Sequence, residues 1–357
     1  MLPIDDPMAI ARTDTQGMLR RLHDLPEAAT DAFARGRAIT LPHPAPHHIL
    51  ICGMGGSAIS GDLVRTQLLA SCPAPIVVHR GDTLPAFAGP DTLAVFMSYS
   101  GHTGETLACL REAIARRVPT VVVTHGGEAG ALAARHGLPT VAIPPGWQPR
   151  AALGDLFFAL LGVLSPLAGG DLPDVAAVVA GLRALRGRFH EDVPTALNPA
   201  KQLAASLAGK TPFLVGATPS TEAVANRWKC QLNENAKLTA LLATLPEMTH
   251  NDIVNLTASG HPHLALVVFT DPSDSEFVRR QRGHALDLMR RHVAAVHELP
   301  SEGSSLLARQ LGTIYLGDYV SVYLALLAGI DPTPVDAIGE LKRRMANGAA
   351  QREGSPA

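Results

Sequence analysis

The sequence predicts an α/β protein of two doubly wound parallel-sheet domains, with helices at its N- and C-terminal ends. Three observations predict it. Short continuous apolar runs, HILICG (48–53), APIVVH (74–79), DTLAVFM (91–97), PTVVVT (119–124) and LPTVAI (138–143), alternate with amphipathic stretches such as GETLACLREAIARR (104–117). Strands that carry almost no polar alternation are covered on both faces, which is the condition of a parallel sheet. The pattern then restarts: TPFLVGATPSTEAVANRWKCQLNENAK (211–237) mirrors HILICGMGGSAISGDLVRTQLL (48–69), and HLALVVFTDPSDSEFVRRQRGHALDLMRR (263–291) mirrors DTLAVFMSYSGHTGETLACLREAIARR (91–117). Finally, 357 residues suit two units of roughly 150 residues each.

The segments follow in order. Residues 1–40 form a helical arm, with Met18, Leu19, Leu22, Ala29, Ala32 and Phe33 at helical spacing, and the proline-rich LPHPAPHH (41–48) ends it. Residues 41–170 are the first domain, closed by an apolar helix near Leu153–Leu167. A helical linker (171–200) leads to the second domain (201–300), a C-terminal helical segment (301–346) and a disordered tail (347–357).

A net charge of −2 and an aromatic content of 4% exclude the basic, stacking surface that nucleic acid needs. Cys52, Cys72, Cys109 and Cys230 have no C-x-x-C spacing and are expected to be reduced, as in a cytoplasm. The acidic N-terminus lacks the charge pattern of a signal peptide, and the apolar stretches 156–167 and 320–330 are too short for a membrane span, so a soluble cytoplasmic protein is expected. His43, His47, His48, His261 and His263 lie in proline-kinked loops without a nearby carboxylate or cysteine at ligand spacing, so no metal is expected. There is no G-x-S-x-G elbow for acyl transfer, and GMGGS carries Ala58 where the dinucleotide fingerprint has its third glycine. No cofactor is expected.

Ligands of doubly wound sheets bind beyond the carboxyl ends of the strands, where helix N-termini offer unpaired N–H groups and partial positive charge. Two turns of the first domain stand there. GMGGS brings Gly55, Gly56 and Ser57; SYSGHT brings Ser98, Ser100 and Thr103. Glycine admits an anion close to the backbone and hydroxyls donate to its oxygens, so the pair suits one phosphate dianion. Ordinary helix capping would use the same residue types. In the second domain the matching turn is TDPSDSE, whose Asp271 and Asp274 would repel phosphate and are expected to cap a helix. One phosphate site per chain follows.

Ionisable candidates cluster later. Glu234 lies between Asn233 and Asn235, amides that would hold a general base, and His250 in LPEMTHNDIVN would shuttle protons. Arg150 sits just past the last strand of the first domain, and Lys342, one of five lysines, lies in DPTPVDAIGELKRR.

Taken in order, CGMGGSAISGD, SYSGHTGET, PPGWQPRAALG, NENAK, LPEMTHNDIV and DPTPVDAIGELK resemble the bifunctional phosphoglucose/phosphomannose isomerases, of the sugar isomerase (SIS) domain superfamily. The resemblance spans residues 45–345. It implies two SIS domains, a homodimer with a shared active site, and metal-free interconversion of hexose 6-phosphate aldoses and ketoses. By motif, Ser57, Ser98, Ser100 and Thr103 would bind phosphate, Glu234 would be the base, Arg150 would stabilise the enediolate, and His250 and Lys342 would assist ring opening, His250 from the partner subunit. Two positions depart: His102 stands where the family commonly has asparagine, and Val335 where it often has a hydroxyl residue. The competing readings are a non-catalytic phosphosugar sensor and a SIS enzyme for another sugar phosphate.

Overall fold

A computed structural model describes residues 2–170 and 174–353. The arm comprises α1 (Pro7–Thr13), α2 (Met18–His23) and α3 (Leu25–Arg37). Gly17, in the left-handed region at φ 70°, and Pro26, in the first turn of α3, divide what periodicity alone reads as one helical stretch.

The first domain alternates β1 (His48–Gly53), α4 (Gly55–Leu68), β2 (Ile76–His79), β3 (Thr92–Met97), α5 (Gly104–Arg116), β4 (Thr120–Thr124), α6 (Gly127–His136) and β5 (Thr140–Ala142), and closes with α7 (Leu153–Leu164). All five strands are parallel, in the order β2-β1-β3-β4-β5. Helix α8 (Val175–Phe189) lies in the expected linker, whose first three residues, 171–173, lie outside the described residues; α9 (Pro199–Leu207) starts at the linker's end and runs on into the expected second domain.

The second domain contains β6 (Thr211–Ala217), α10 (Glu222–Glu234), β7 (Leu241–Leu245), α11 (Asp252–Ala258), β8 (His261–Thr270), α12 (Glu276–Met289) and β9 (Val293–Pro300). Its parallel sheet runs β7-β6-β8-β9, the first sheet's order without a fifth strand. The predicted repeat therefore aligns β1-α4 with β6-α10 and β3-α5 with β8-α12. Edge strands β7 and β9 do not stand out in the sequence pattern, because each is partly exposed and lacks a long apolar run.

Helices α13 (Leu306–Leu327) and α14 (Asp336–Glu353) end the chain. The helix continues past the expected start of a disordered tail at 347, through Glu353; residues 354–357 lie outside the described residues. One hydrophobic core runs from Ile4 in the arm through α7, α10 and α13 and so joins the two domains. Every residue of α7 is buried, with α3 packed against it so tightly that a Cβ on Gly36 would stand 2.1 Å from the Ala159 carbonyl. The arm is thus part of the core, and the sites at the strand ends of both sheets are held in one frame.

Candidate active site

β1 ends at Gly53 and α4 starts at Gly55, so Gly55, Gly56 and Ser57 make up its first turn, where the helix itself offers the first amides no partners, although the Ser57 amide donates to the Met54 carbonyl at 3.1 Å. Gly55 is left-handed (φ 50°), and a Cβ on Gly56 would fall 2.7 Å from the Pro149 carbonyl oxygen. Only glycine lets the 149–151 turn lie directly on this loop. Ser57 is buried beneath it.

The second turn is joined to the first domain's next loop with equal closeness: a Cβ on Gly101 would meet the Gly126 carbonyl at 1.9 Å, and the Ala129 amide donates to the Gly101 carbonyl at 3.0 Å. Ser98 Oγ donates to Thr103 Oγ1 at 3.1 Å, and Ser100 Oγ accepts from the His102 amide at 3.2 Å. Thr103 is the N-cap residue of α5, yet its side chain makes no capping bond. In the second domain, by contrast, Ser275 caps α12 through Val278 N, and Thr221 Oγ1 accepts from Ala217 N. A helix cap therefore accounts for Ser275 in the second domain and not for Thr103 in the first, whose turn hydroxyls bond within the turn instead. Asp271 and Asp274 do not cap α12 as expected from sequence; Asp271 pairs with Arg309 at 2.8 Å and Asp274 with Arg282 at 2.5 Å. Their charges are neutralised locally, and the turn has no vacancy for an anion.

Arg150 lies in the turn 149–151 and is 3% exposed. Its Nε donates to Asn235 Oδ1 (2.8 Å), and Nη2 donates to the carbonyls of Pro332 (2.9 Å) and Thr333 (2.8 Å). Nη1 is left facing Glu234 Oε2 at 3.5 Å. Burial pushes the Arg150 pKa down and the Glu234 carboxylate opposes this; arginine remains charged throughout the physiological range. The Glu234 side chain is 29% exposed, so the carboxylate is open to solvent while the guanidinium behind it is fixed. The amides flanking Glu234 do not hold it: Asn235 holds Arg150 instead, and its Nδ2 donates to Ser321 Oγ at 2.9 Å.

Four further residues set the Arg150 turn, and none of them stands out in the sequence. Arg21 Nε donates to the Ala151 carbonyl (2.8 Å), and Arg227 Nη2 donates to the Arg150 carbonyl (2.7 Å) while pairing with buried Asp318 at 3.0 Å. Tyr99, inside the hydroxyl-rich turn, donates to the Pro144 carbonyl (2.8 Å) and accepts from the Trp147 amide (3.1 Å). The phosphate-type turn and the arginine turn are therefore one rigid unit. An aromatic residue between Ser98 and Ser100 was the available signal.

His250 is exposed at the end of a short 3-10 turn after β7, and among the described residues no hydrogen bond or ion pair links it to Glu234 or Arg150. Lys342 is exposed on α14 and lines a cavity of about 650 Å³ with Val335, Asp336 and Gln148; the last of these precedes Arg150 by two positions. His102 lies against Gly127, whose added Cβ would stand 2.9 Å from the imidazole Nε2. Among the described residues, one group of three metal-type ligands occurs, His23, His190 and Glu191. The two rings stack at 4.4 Å and 19°, so their in-plane lone pairs run nearly parallel instead of meeting at one ion.

Residues 196–345 match the model of the bacterial phospho-glucose isomerase C-terminal SIS domain. Over 339 residues the chain is 37% identical to a bifunctional phosphoglucose/phosphomannose isomerase of Caldicellulosiruptor bescii, covering 92% of this chain and 99% of that one. The chain belongs to the bifunctional phosphoglucose/phosphomannose isomerase family. A second member, from Aquifex aeolicus, is 33% identical over 83% of this chain and 90% of its own. The fold agrees with that of a glucose-6-phosphate isomerase like protein from Thermus thermophilus, with TM-score 0.63, 22% identity, and coverage of 94% and 99% of the two chains. In this family member, the glycine and hydroxyl turns at strand ends of the first sheet are tied to the Arg150 turn, which Glu234 faces from the C-terminal end of α10.

Proposed function

We propose that this chain interconverts glucose 6-phosphate and mannose 6-phosphate with fructose 6-phosphate through a cis-enediol, with Glu234 as the base. The observation that carries the assignment of roles is the 3.5 Å approach of Arg150 Nη1 to Glu234 Oε2, with the other guanidinium donors already engaged. Gly55, Gly56, Ser57, Ser98, Ser100 and Thr103 hold the phosphate. Glu234 takes the C2 proton of the open-chain aldose, and the C–H electron pair forms the C1–C2 double bond as negative charge moves to the carbonyl oxygen. Nη1 stabilises that oxygen; the fixed guanidinium needs no reorganisation as the charge develops. The O2 proton then passes to O1, leaving the charge on O2; Glu234 returns the carbon-bound proton to C1 as the O2 electron pair closes the C2 carbonyl, giving the ketose. Rotation about C2–C3 of the enediol presents the other face to the same base, which joins the glucose and mannose epimers in one site.

His250 and Lys342 open the ring. His250 acts from a partner subunit of a homodimer, a reading supported by its exposure and by the lack of a bond to Glu234 among the described residues of the chain. Lys342 approaches from α14 across the cavity it shares with Gln148.

The test is a coupled assay with fructose 6-phosphate, reading glucose 6-phosphate and mannose 6-phosphate separately, for the wild type and Glu234→Gln. Both products are expected from the wild type. The variant should lose about three orders of magnitude in kcat while still binding a sugar-acid phosphate, because proton transfer and phosphate binding use different groups. Full activity of the variant would remove Glu234 from the mechanism; absence of both products from the wild type would favour a phosphosugar sensor.

A further inference from the structure

Lys237, the last residue of NENAK, lies beside the Glu234–Arg150 pair and has no part in the chemistry above. It follows α10 in the left-handed region, at φ 53°. That conformation suits glycine and costs a residue with a Cβ about 1 kcal/mol. Something in the side chain must offset the cost.

The Lys237 ammonium meets four carbonyl oxygens. It donates to Glu234 at 2.8 Å and Asn235 at 3.4 Å, both at the C-terminus of α10, and to Asp331 at 3.2 Å and Pro332 at 3.1 Å, in the loop between α13 and α14. Three protons serve four acceptors, so one bond is shared. The first two carbonyls belong to a helix end that has no internal donors for them and favours a cation. The Pro332 carbonyl is also an acceptor for Arg150 Nη2, and Asn235 accepts from Arg150 Nε. A closed circuit results: Lys237 ties the backbone of the base to the loop that holds the guanidinium, and the guanidinium ties back to α10.

We propose that Lys237 is a positioning residue that sets the separation and orientation of Glu234 relative to Arg150. The inference rests on the reading of Glu234 as the base. Near-attack geometry tolerates little slack between base and electrostatic stabiliser, so loosening this circuit should lower turnover more than substrate binding.

Protonation is part of the device. The charged groups facing Lys237 are Arg150, Asp331, Glu234 and Asp336. Burial and then Arg150 push its pKa below the ordinary lysine value of 10.5, while the acids oppose. The charged clamp is complete below the folded pKa and is lost as pH rises through it. Arginine at the same place would not titrate.

Lys237→Met and Lys237→Arg, with Glu234→Gln as control, separate the possibilities. Steady-state kinetics with fructose 6-phosphate would be followed from about pH 6 to about pH 10, with amide hydrogen exchange and circular dichroism on the same samples. Lys237→Met is expected to lose at least tenfold in kcat with KM within about threefold of wild type. It should also lose amide protection at residues 234–238 and 331–333. Lys237→Arg is expected to recover most of kcat and to move the alkaline limb of the kcat profile upward. Wild-type kcat in Lys237→Met, or an alkaline limb unmoved by Lys237→Arg, would overturn the proposal. If the methionine variant does not fold, the arginine variant's alkaline limb decides alone. An active Glu234→Gln would instead overturn the base assignment, independently of how Lys237 behaves.

Discussion

Thr103 illustrates how a residue acquires a role that its identity does not assign. As N-cap of α5 it has the side chain and backbone geometry (φ −75°, ψ 114°) to accept from the following amides, but it accepts from Ser98 Oγ instead. The hydroxyl is thus available to a ligand and not to the helix. Thr103→Val should change stability by less than about 0.5 kcal/mol, since no cap is lost, while weakening the binding of a sugar-acid phosphate about tenfold, or about 1.4 kcal/mol. Isothermal titration and chemical denaturation on the same preparation check both numbers; a large stability loss with unchanged affinity would return Thr103 to the capping role. The hydroxyls beside a strand end, and Glu234 and Arg150 at a helix end and in a turn, are visible in the sequence as candidates because residue type carries their chemistry. The contacts of Asn235, Tyr99, Arg21 and Arg227 are not, because each acts through a partner distant in the chain, such as Arg150 and Asn235, 85 positions apart.

At the scale of elements, the two domains show one topology used in two ways. The turn after β3 is lined by hydroxyls; its counterpart after β8 is filled by two carboxylates, each paired with an arginine. Burial pushes the Asp271 pKa up, but hydrogen bonds from Arg309 and Ser273 outweigh it and hold the group below its ordinary value of 3.8. A carboxylate with a depressed folded pKa stabilises the protein above its unfolded pKa, and the contribution is lost as pH falls through the folded value. Asp271→Asn should therefore destabilise by about 2 kcal/mol at neutral pH, leaving Arg309 without its charge partner. The difference from wild type should shrink below about pH 4. Denaturant titrations at several pH values measure this; a penalty independent of pH would mean that packing and not charge dominates. The repeat itself is readable from the recurrence of strand, turn and helix. Strands β7 and β9 escape notice because an edge strand is half exposed and its apolar signal is diluted, and the division of the arm escapes because apolar periodicity continues across Gly17 while the helix does not.

Over the whole molecule, the shared core fixes both strand-end clusters in one frame, and so what a single chain leaves apart is informative. Glu234, Arg150 and both anion-type turns are linked by a continuous set of contacts within the chain. His250 follows the second sheet's edge strand β7 and is exposed, in a segment that also exposes Leu241 (41%) and Val254 (67%). On the proposed reading, a second copy would bring its His250 to the first copy's Glu234, so that the ring-opening groups meet one sugar. A closed two-fold dimer supplies this symmetrically, each chain giving and receiving one histidine. Co-expression of Glu234→Gln with His250→Ala, each with its own affinity tag, then gives a sharp expectation. Random pairing makes half the dimers mixed, and each mixed dimer holds one site with an intact Glu234 from one chain and an intact His250 from the other, so about a quarter of wild-type sites should be restored. The doubly purified mixed dimer should show about half of wild-type kcat per dimer on the cyclic substrate. If His250 served its own chain, every site in the mixed dimer would carry one lesion and no activity would return. The two arrangements therefore predict outcomes that differ in kind, from one purification.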